Sequence, residues 1–175
     1  IQVPSVKTDA VPGAPFGEEV RRMYDMALAD CEAEGFVTRG FDGYALDATL
    51  QGESDEAIAV LGHLDVVPAG DGWQTDPFTT VEKDGFLYGR GTIDTKTPLF
   101  AELQAAEELL AEGYEFDGIN LYIGSSNNEE VCGDGMVLAA RYFQEHGIRF
   151  DTVLDEGGAI TEGQIPGVGC KSAVV

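Results

Sequence analysis

The chain of 175 residues is 43% hydrophobic and 24% charged, a composition that is typical of a folded domain and excludes wholesale disorder. Because 32 Asp and Glu stand against 10 Lys and Arg, the formal net charge is −22, which argues against nucleic acid or an anionic membrane as a partner. No run of residues predicts a membrane span or a signal peptide. The 3 cysteines are widely spaced and lack a C-x-x-C pair, which is typical of a reduced protein, so we expect a cytoplasmic location.

The first part of the chain predicts a helix followed by short strands and one buried strand. Apolar residues recur at helical spacing over residues 17–34, where we expect an amphipathic helix. Residues 36–50 alternate weakly and predict one or two short strands. The run AIAVLGHLDVVP, residues 57–68, predicts a strand covered on both faces that ends at His63 and Asp65.

The rest of the chain alternates strands with helices. The Asp84-Gly85 pair predicts a β-hairpin between strands at 78–81 and 86–88. Thr97 and Pro98 predict the start of the next helix, as its N-cap and first residue. Further strands are expected over 119–124, 152–154 and 169–175, and a further helix over 134–147. This order predicts an α/β fold with a largely parallel sheet, helices on both faces, and a β-hairpin before Asp94.

Acidic or imidazole side chains follow the ends of the predicted strands and the hairpin. They are His63, Asp65, Asp94, Glu129, Glu130, Asp155 and Glu156. Because the carboxyl ends of parallel strands meet at one edge of a sheet, we expect these side chains to converge. Clustered carboxylates repel one another unless cations neutralise them, and two divalent metals that share one carboxylate are a common solution. The spacing also allows Asp65 to accept the second ring N–H of His63.

Each of these residues also has a purely structural interpretation. His63 alone fits a core histidine bonded to a neighbour, and Asp94 fits a turn residue in a glycine-rich loop. The Glu129-Glu130 pair fits a helix start, where acidic side chains are favourable, and the segment Asp155-Glu156-Gly157-Gly158 fits a plain turn. Only their joint order and spacing favour a metal site.

The motifs GHLDVVPAGDGW, GRGTIDTK, NNEEVCG and LDEGG, in this order, resemble the M20 family of dinuclear zinc peptidases. That family includes carboxypeptidase S, peptidase V and aminoacylase, and the resemblance covers nearly the whole chain. It implies a three-layer sandwich of the zinc-peptidase type, of which residues 1–175 form the amino-terminal part of the catalytic domain. A lid or dimerisation domain, the second half of the catalytic domain and another zinc-binding histidine are expected outside these residues, and the complete protein is expected to form a homodimer.

The resemblance also implies a ligand set for two zinc ions, for which Co²⁺ or Mn²⁺ are alternatives. His63 and Asp155 would bind one ion, with Glu156 as the alternative to Asp155. Glu130 would bind the other ion, and Asp94 would bridge both. His146 lies at a helix end and is not expected to be a ligand.

The remaining roles concern catalysis. The resemblance implies that Asp65 orients His63, and that the Asp94–Thr95 peptide bond is cis. Glu129 would be the general base that takes a proton from a zinc-bridging water, so that the resulting hydroxide attacks an amide carbon. The implied reaction is metal-dependent hydrolysis of small peptides or N-acyl amino acids, of the carboxypeptidase or dipeptidase type. Residues 1–175 alone are expected to be inactive or nearly so.

Two other functions are compatible with the same residues. The first is a non-catalytic metal-binding or interaction module derived from an M20 hydrolase, supported by Asn127-Asn128 at positions where the family commonly has Thr-Asp. The second is structural calcium binding by the acidic loops. Calcium prefers oxygen ligands alone, so His63 favours zinc.

Overall fold

The computed structural model describes residues 1–116, 118–131, 133–157, 159–162, 166–167 and 171–174. In chain order its elements are α1 (Glu18–Ala33), β1 (Val37–Phe41), β2 (Ala45–Leu50), β3 (Ala57–His63), β4 (Val81–Lys83), β5 (Phe86–Tyr88), α2 (Lys96–Ala111), β6 (Asn120–Ser126), a short 3-10 helix (Glu129–Val131), α3 (Asp134–Glu145), β7 (Thr152–Leu154), β8 (Ala159–Glu162) and β9 (Lys171–Val174). In the part of the chain that these ranges cover, none of the helices combines the length and apolar character that crossing a membrane requires.

The main sheet has five strands in the order β1-β2-β6-β3-β7. Strands β6, β3 and β7 run parallel, whereas β1 and β2 form an antiparallel hairpin that joins β6 in antiparallel pairing. The α/β class is therefore confirmed, with a mixed sheet whose three parallel strands lead into the predicted site residues other than Asp94, which lies between β5 and α2. In the register of this sheet His63 pairs with Ser126, so both strands end at the same level.

Helices cover both faces of the sheet. On one face Met23 of α1 and Leu103 of α2 share a buried cluster with Ile123 of β6. On the other face Phe143 of α3 packs in a second cluster with Tyr122, the neighbour of Ile123 on the same strand. Because consecutive residues of β6 point to opposite faces, this strand contributes to both apolar layers. The predicted three-layer arrangement is confirmed.

The structure corrects two predicted boundaries. Strand β4 spans Val81–Lys83, not 78–81, because Asp76 accepts the main-chain N–H of Phe78 through its side chain and so forms a turn before the strand. Helix α2 begins at Lys96, before the predicted Thr97-Pro98 start. Pro98 is still compatible with the helix, since the first N–H groups of a helix have no partner within it.

The small strand pair at the end of the described chain was predicted in part. Strand β9 lies within the predicted 169–175 segment, and β8 pairs with it in antiparallel register. No strand was predicted at β8, which spans Ala159–Glu162.

Candidate metal centre

The site begins at the carboxyl end of β3, where His63 is 1% exposed. Gly62 precedes it, and a β-carbon at that position would lie 3.3 Å from the side chain of Leu99 on α2. The absence of a side chain therefore allows the start of α2 to lie close to the end of β3. Asp94 lies two residues before α2 and is brought to His63 by this approach.

Carboxylates from three other segments surround the outer ring nitrogen of His63. Its Nε2 atom lies 2.9 Å from Oδ1 of Asp94, 3.7 Å from Oε2 of Glu129 and 3.7 Å from Oε1 of Glu156. Potential ligand atoms lie within 4.8 Å of one another in two groups, which are His63, Asp94 and Glu130, and His63, Glu129 and Glu156. The expected convergence of strand ends thus occurs, and the two groups share the His63 ring.

The inner ring nitrogen of His63 faces Asp65. Nδ1 lies 3.0 Å from the main-chain carbonyl oxygen of Asp65 and 3.5 Å from its carboxylate Oδ1. The ring is therefore oriented by residue 65, but the nearer partner is the main chain and not the side chain that the sequence suggested. Both oxygens of the Asp65 carboxylate accept main-chain N–H groups, from Glu129 at 3.1 Å and from Glu130 at 3.1 Å.

The turn that carries Glu129 and Glu130 is held from behind by two buried amides. Asn127 donates a hydrogen bond from Nδ2 to the carbonyl oxygen of Gly43 at 2.9 Å. Asn128 accepts the main-chain N–H of Gly135 at 3.1 Å through Oδ1, which ties the turn to the start of α3. Asn127 and Asn128 therefore have a structural role next to the site. This role explains the presence of the Asn pair without a loss of catalytic function.

Glu156, and not Asp155, reaches the His63 ring. Oδ1 of Asp155 instead accepts the main-chain N–H of Glu156 at 2.9 Å. Within the described residues, Asp155 belongs to neither group of potential ligands. The geometry thus favours the alternative ligand of the Asp155-Glu156 pair.

The electrostatics of the cluster favour a bound cation. Burial opposes protonation of His63, but its contacts with Asp65 and Asp94 outweigh burial and raise its pKa to about 9. Burial and the nearby Asp94 carboxylate raise the pKa of Glu130, and burial likewise raises that of Glu156. Among the described residues, no Lys or Arg forms a salt bridge with these carboxylates.

The donor set fits a divalent metal. An imidazole nitrogen together with carboxylate oxygens suits Zn²⁺, and the same atoms accept Co²⁺ or Mn²⁺. Positive charge at this place would relieve the repulsion between the carboxylates. The Asp94–Thr95 peptide bond is cis, in agreement with the expectation from the resemblance.

Lys96 is part of the scaffold around the site, although the sequence pattern does not predict this role. It is 2% exposed, and its Nζ donates a hydrogen bond to the carbonyl oxygen of Val3 at 2.9 Å. Burial lowers its pKa to about 8, although the nearby Asp65 acts in the opposite direction. One signal in the sequence was a lysine at a helix start, where a positive charge is unfavourable and needs a specific partner.

His146 lies away from the site, as expected. The start of α3 lies next to the turn at Asn128, whereas His146 caps the other end of this helix. Because a helix of 12 residues is about 18 Å long, His146 lies at the end of α3 that is distant from the site. Its ring stacks on Tyr142 with centroids 3.8 Å apart.

The cysteines contribute nothing to the site within the described residues. Cys31 is a buried free cysteine, and burial raises its pKa to about 11, which makes it a poor nucleophile. Cys132 and Cys170 lie outside the described residues.

A family model matches most of this chain. The model described as Peptidase family M20/M25/M40 matches residues 59–173, which include every predicted site residue. The chain belongs to this family. The M20 family is metal-dependent, which is consistent with the two groups of potential ligands around His63.

Similar proteins include several kinds of M20 enzyme. N-fatty-acyl-amino acid synthase/hydrolase PM20D1.1 of Danio rerio is 36% identical over 157 residues, which cover 88% of this chain and 29% of that protein. Succinyl-diaminopimelate desuccinylase of Polynucleobacter necessarius is 36% identical over 110 residues, covering 62% of this chain and 29% of that protein. The fold matches that of the di-peptidase Dug1p from Saccharomyces cerevisiae, with a TM-score of 0.76, 21% identity, and coverage of 92% of this chain and 37% of that one. The chain thus spans 29% to 37% of the length of these three proteins.

Proposed function

We propose that this chain is the amino-terminal part of the catalytic domain of a metal-dependent amide hydrolase. The observation that carries the proposal is the approach of Asp94, Glu129 and Glu156 to the Nε2 atom of buried His63. A solvated acidic surface does not require a buried imidazole at its centre. The membership in the M20 family gives independent support.

Four residues of the cluster would hold two zinc ions. His63 and Glu156 would bind one ion, Glu130 would bind the other, and Asp94 would bridge them. A residue outside these 175 would complete the second site. Bound divalent cations supply Lewis acidity, because they lower the pKa of water and polarise a carbonyl oxygen.

Glu129 is the proposed general base. Its side chain is 50% exposed, so a water molecule and a substrate can both reach it, and its carboxylate lies in the same group of atoms as His63. It would take one proton from water while the water oxygen bonds to the amide carbon. The same carboxyl group would then give that proton to the leaving nitrogen as the C–N bond breaks.

The proposed substrates are small peptides or N-acyl amino acids. The relatives named above hydrolyse or synthesise N-acyl amino acids, remove a succinyl group or cleave dipeptides, according to their names. All three reactions concern an amide bond in a small molecule. An amide bond in a small molecule is therefore the proposed target. We also propose that the complete protein acts in the cytoplasm and forms a homodimer.

The test is a Glu129→Gln variant of the complete gene product, called the intact protein below. Metal content by mass spectrometry and hydrolysis of a panel of dipeptides and N-acyl amino acids are measured on the same samples. Loss of a general base is expected to lower kcat by about 10²- to 10⁴-fold, with the metal content unchanged. Glu145→Gln is the matched control, because Glu145 is exposed at the end of α3 distant from the site.

The two measurements separate the alternatives. Wild-type protein that binds metal but hydrolyses no member of the panel would favour the non-catalytic module. Wild-type protein that binds Ca²⁺ and not Zn²⁺ would favour the structural calcium site. An active wild type with an equally active Glu129→Gln variant would exclude Glu129 as the base.

A further inference from the structure

The carboxylate of Asp65 connects two parts of the site that are distant in sequence. Asp65 lies just beyond β3 and is 1% exposed. Oδ1 accepts the main-chain N–H of Glu129 and Oδ2 accepts that of Glu130, each at 3.1 Å. The two oxygens thus accept hydrogen bonds from the main chain of both glutamates. In the proposed function Glu129 is the general base and Glu130 is a metal ligand.

These two N–H groups need an acceptor from outside their own helix. Glu129 and Glu130 are the first residues of the 3-10 helix Glu129–Val131, and the first N–H groups of a helix have no partner within it. A carboxylate is a strong hydrogen-bond acceptor for such groups. Asp65 therefore provides an acceptor for both groups from the segment that follows β3.

The register of the sheet explains why residue 65 can do this. His63 pairs with Ser126, and the N–H of Leu64 donates to the carbonyl oxygen of Ser126 at 2.9 Å. Beyond this point the segments that follow β3 and β6 both leave the sheet. The side chain of Asp65 then lies opposite the turn that follows β6.

The His63 ring depends less on the Asp65 side chain. Its Nδ1 atom is 3.0 Å from the main-chain carbonyl oxygen of Asp65 and 3.5 Å from Oδ1. Every substitution at position 65 keeps that carbonyl group. A variant of the side chain therefore perturbs the glutamate turn directly, while the nearer partner of the ring remains.

We infer that Asp65 is a positioning residue for Glu129 and Glu130, which holds the main chain of the base and of the adjacent metal ligand in place. This role is additional to the orientation of His63 that the sequence predicts. The consequence for catalysis rests on the proposed function, whereas the hydrogen bonds to the two amides do not. A direct measurement of those amides consequently separates failure of this inference from failure of the proposed function.

The test is amide hydrogen exchange, resolved by residue, in the intact protein with Asp65→Asn. One oxygen is replaced by an NH₂ group that cannot accept, so at least one of the Glu129 and Glu130 amides loses its acceptor. Their exchange is expected to accelerate about tenfold or more, while amides in the middle of β3 and β6 are unchanged. Asp47→Asn is the matched control, because Asp47 is also 1% exposed but lies on β2.

A second measurement keeps the inference open to refutation if Asp65→Asn does not fold. In the wild type, the amides of Glu129 and Glu130 are expected to be protected, although they begin a short helix. Exchange of both at the rate of free amides would overturn the inference. So would an Asp65→Asn variant that folds and keeps both amides protected.

Kinetics of the same variant test the catalytic consequence. Displacement of Glu129 is expected to lower kcat by about 10²-fold with KM little changed, since the base acts in the transition state. Loss of protection at the two amides without any change in kcat would leave Asp65 as a structural residue only and would contradict its positioning role.

Discussion

The Nε2 atom of His63 lies 2.9 Å from Oδ1 of Asp94, although 31 positions separate the two residues in the sequence. The close packing of α2 against Gly62 makes this contact possible, since a side chain there would meet Leu99. Asp94 is 64% exposed at its side chain, whereas His63 is 1% exposed. The pair thus connects the buried end of the sheet to the open side of the site.

Asp94→Ala is expected to remove metal from the intact protein more completely than any other single carboxylate variant, because Asp94 is proposed to bridge both ions. Loss of a residue that only hydrogen-bonds to a metal ligand lowers activity by roughly 10- to 100-fold, and we expect a larger fall for Asp94→Ala. Metal content and kcat/KM are measured together. Asp9→Ala, at an exposed position of the amino-terminal arm, is the control, and an equal metal content in both variants would refute the bridging role.

The pair Asp155 and Glu156 allows a direct comparison of two neighbouring candidates. Glu156→Gln is expected to weaken zinc binding, because Oε1 of Glu156 lies 3.7 Å from Nε2 of His63. Asp155→Asn keeps an oxygen that can accept the N–H of Glu156, so we expect a smaller effect. Zinc titration of metal-free protein by calorimetry compares the two, and a larger loss of affinity in Asp155→Asn would restore Asp155 as the ligand.

The amino-terminal arm stabilises the segment that follows His63. Ser5 is fully buried and donates a hydrogen bond from Oγ to the carbonyl oxygen of Leu64 at 2.6 Å. Ser5→Ala is expected to lower the free energy of unfolding by about 1 kcal/mol, as measured by urea denaturation. Ser54→Ala is the comparison at an exposed position, where the hydroxyl donates an equally short bond to Gly118 and also accepts the main-chain N–H of Glu56 at 3.1 Å. No measurable loss of stability in Ser5→Ala would contradict the stabilising role of the Ser5 contact.

Asp47 provides a test by pH on the face of the sheet that α3 covers. Its Oδ2 accepts a hydrogen bond from Arg39 at 2.8 Å, but burial outweighs this contact and raises the pKa of Asp47 above 3.8. A carboxyl group with a raised pKa in the folded state favours folding most when it is protonated. The stability of the wild type relative to Asp47→Asn is therefore expected to be greatest below pH 3.8 and to decline as the pH rises through the folded-state pKa.

Urea denaturation of both proteins across that pH range measures the difference, and other carboxylates largely cancel in it. If the stability of the wild type relative to Asp47→Asn increased with pH, the ion pair with Arg39 would outweigh burial in its effect on the pKa of Asp47.

Much of the site could be predicted from the sequence because it lies where regular elements end. The apolar run before His63 has the pattern of a buried strand, and its end marks the edge at which Glu129 and Glu130 also appear. The identity of the ligand in the Asp155-Glu156 pair could not be predicted, because a change of direction by one residue exchanges which side chain faces the ring.

Contacts between distant segments could not be predicted either. The hydrogen bonds from Glu129 and Glu130 to Asp65 depend on the pairing of β3 with β6, and that register is a property of the folded sheet. The bond from Lys96 to Val3 joins residues 93 positions apart. Local patterns carry no information on such partners.

The most direct test of the metal centre compares the two histidines of the chain. Metal content per molecule is measured by mass spectrometry for the intact protein and for its His63→Asn and His146→Asn variants, with circular dichroism to confirm that each is folded. The proposed centre predicts that His63→Asn loses bound zinc while His146→Asn keeps the wild-type amount. A folded His63→Asn protein that retains the full wild-type metal content would contradict it.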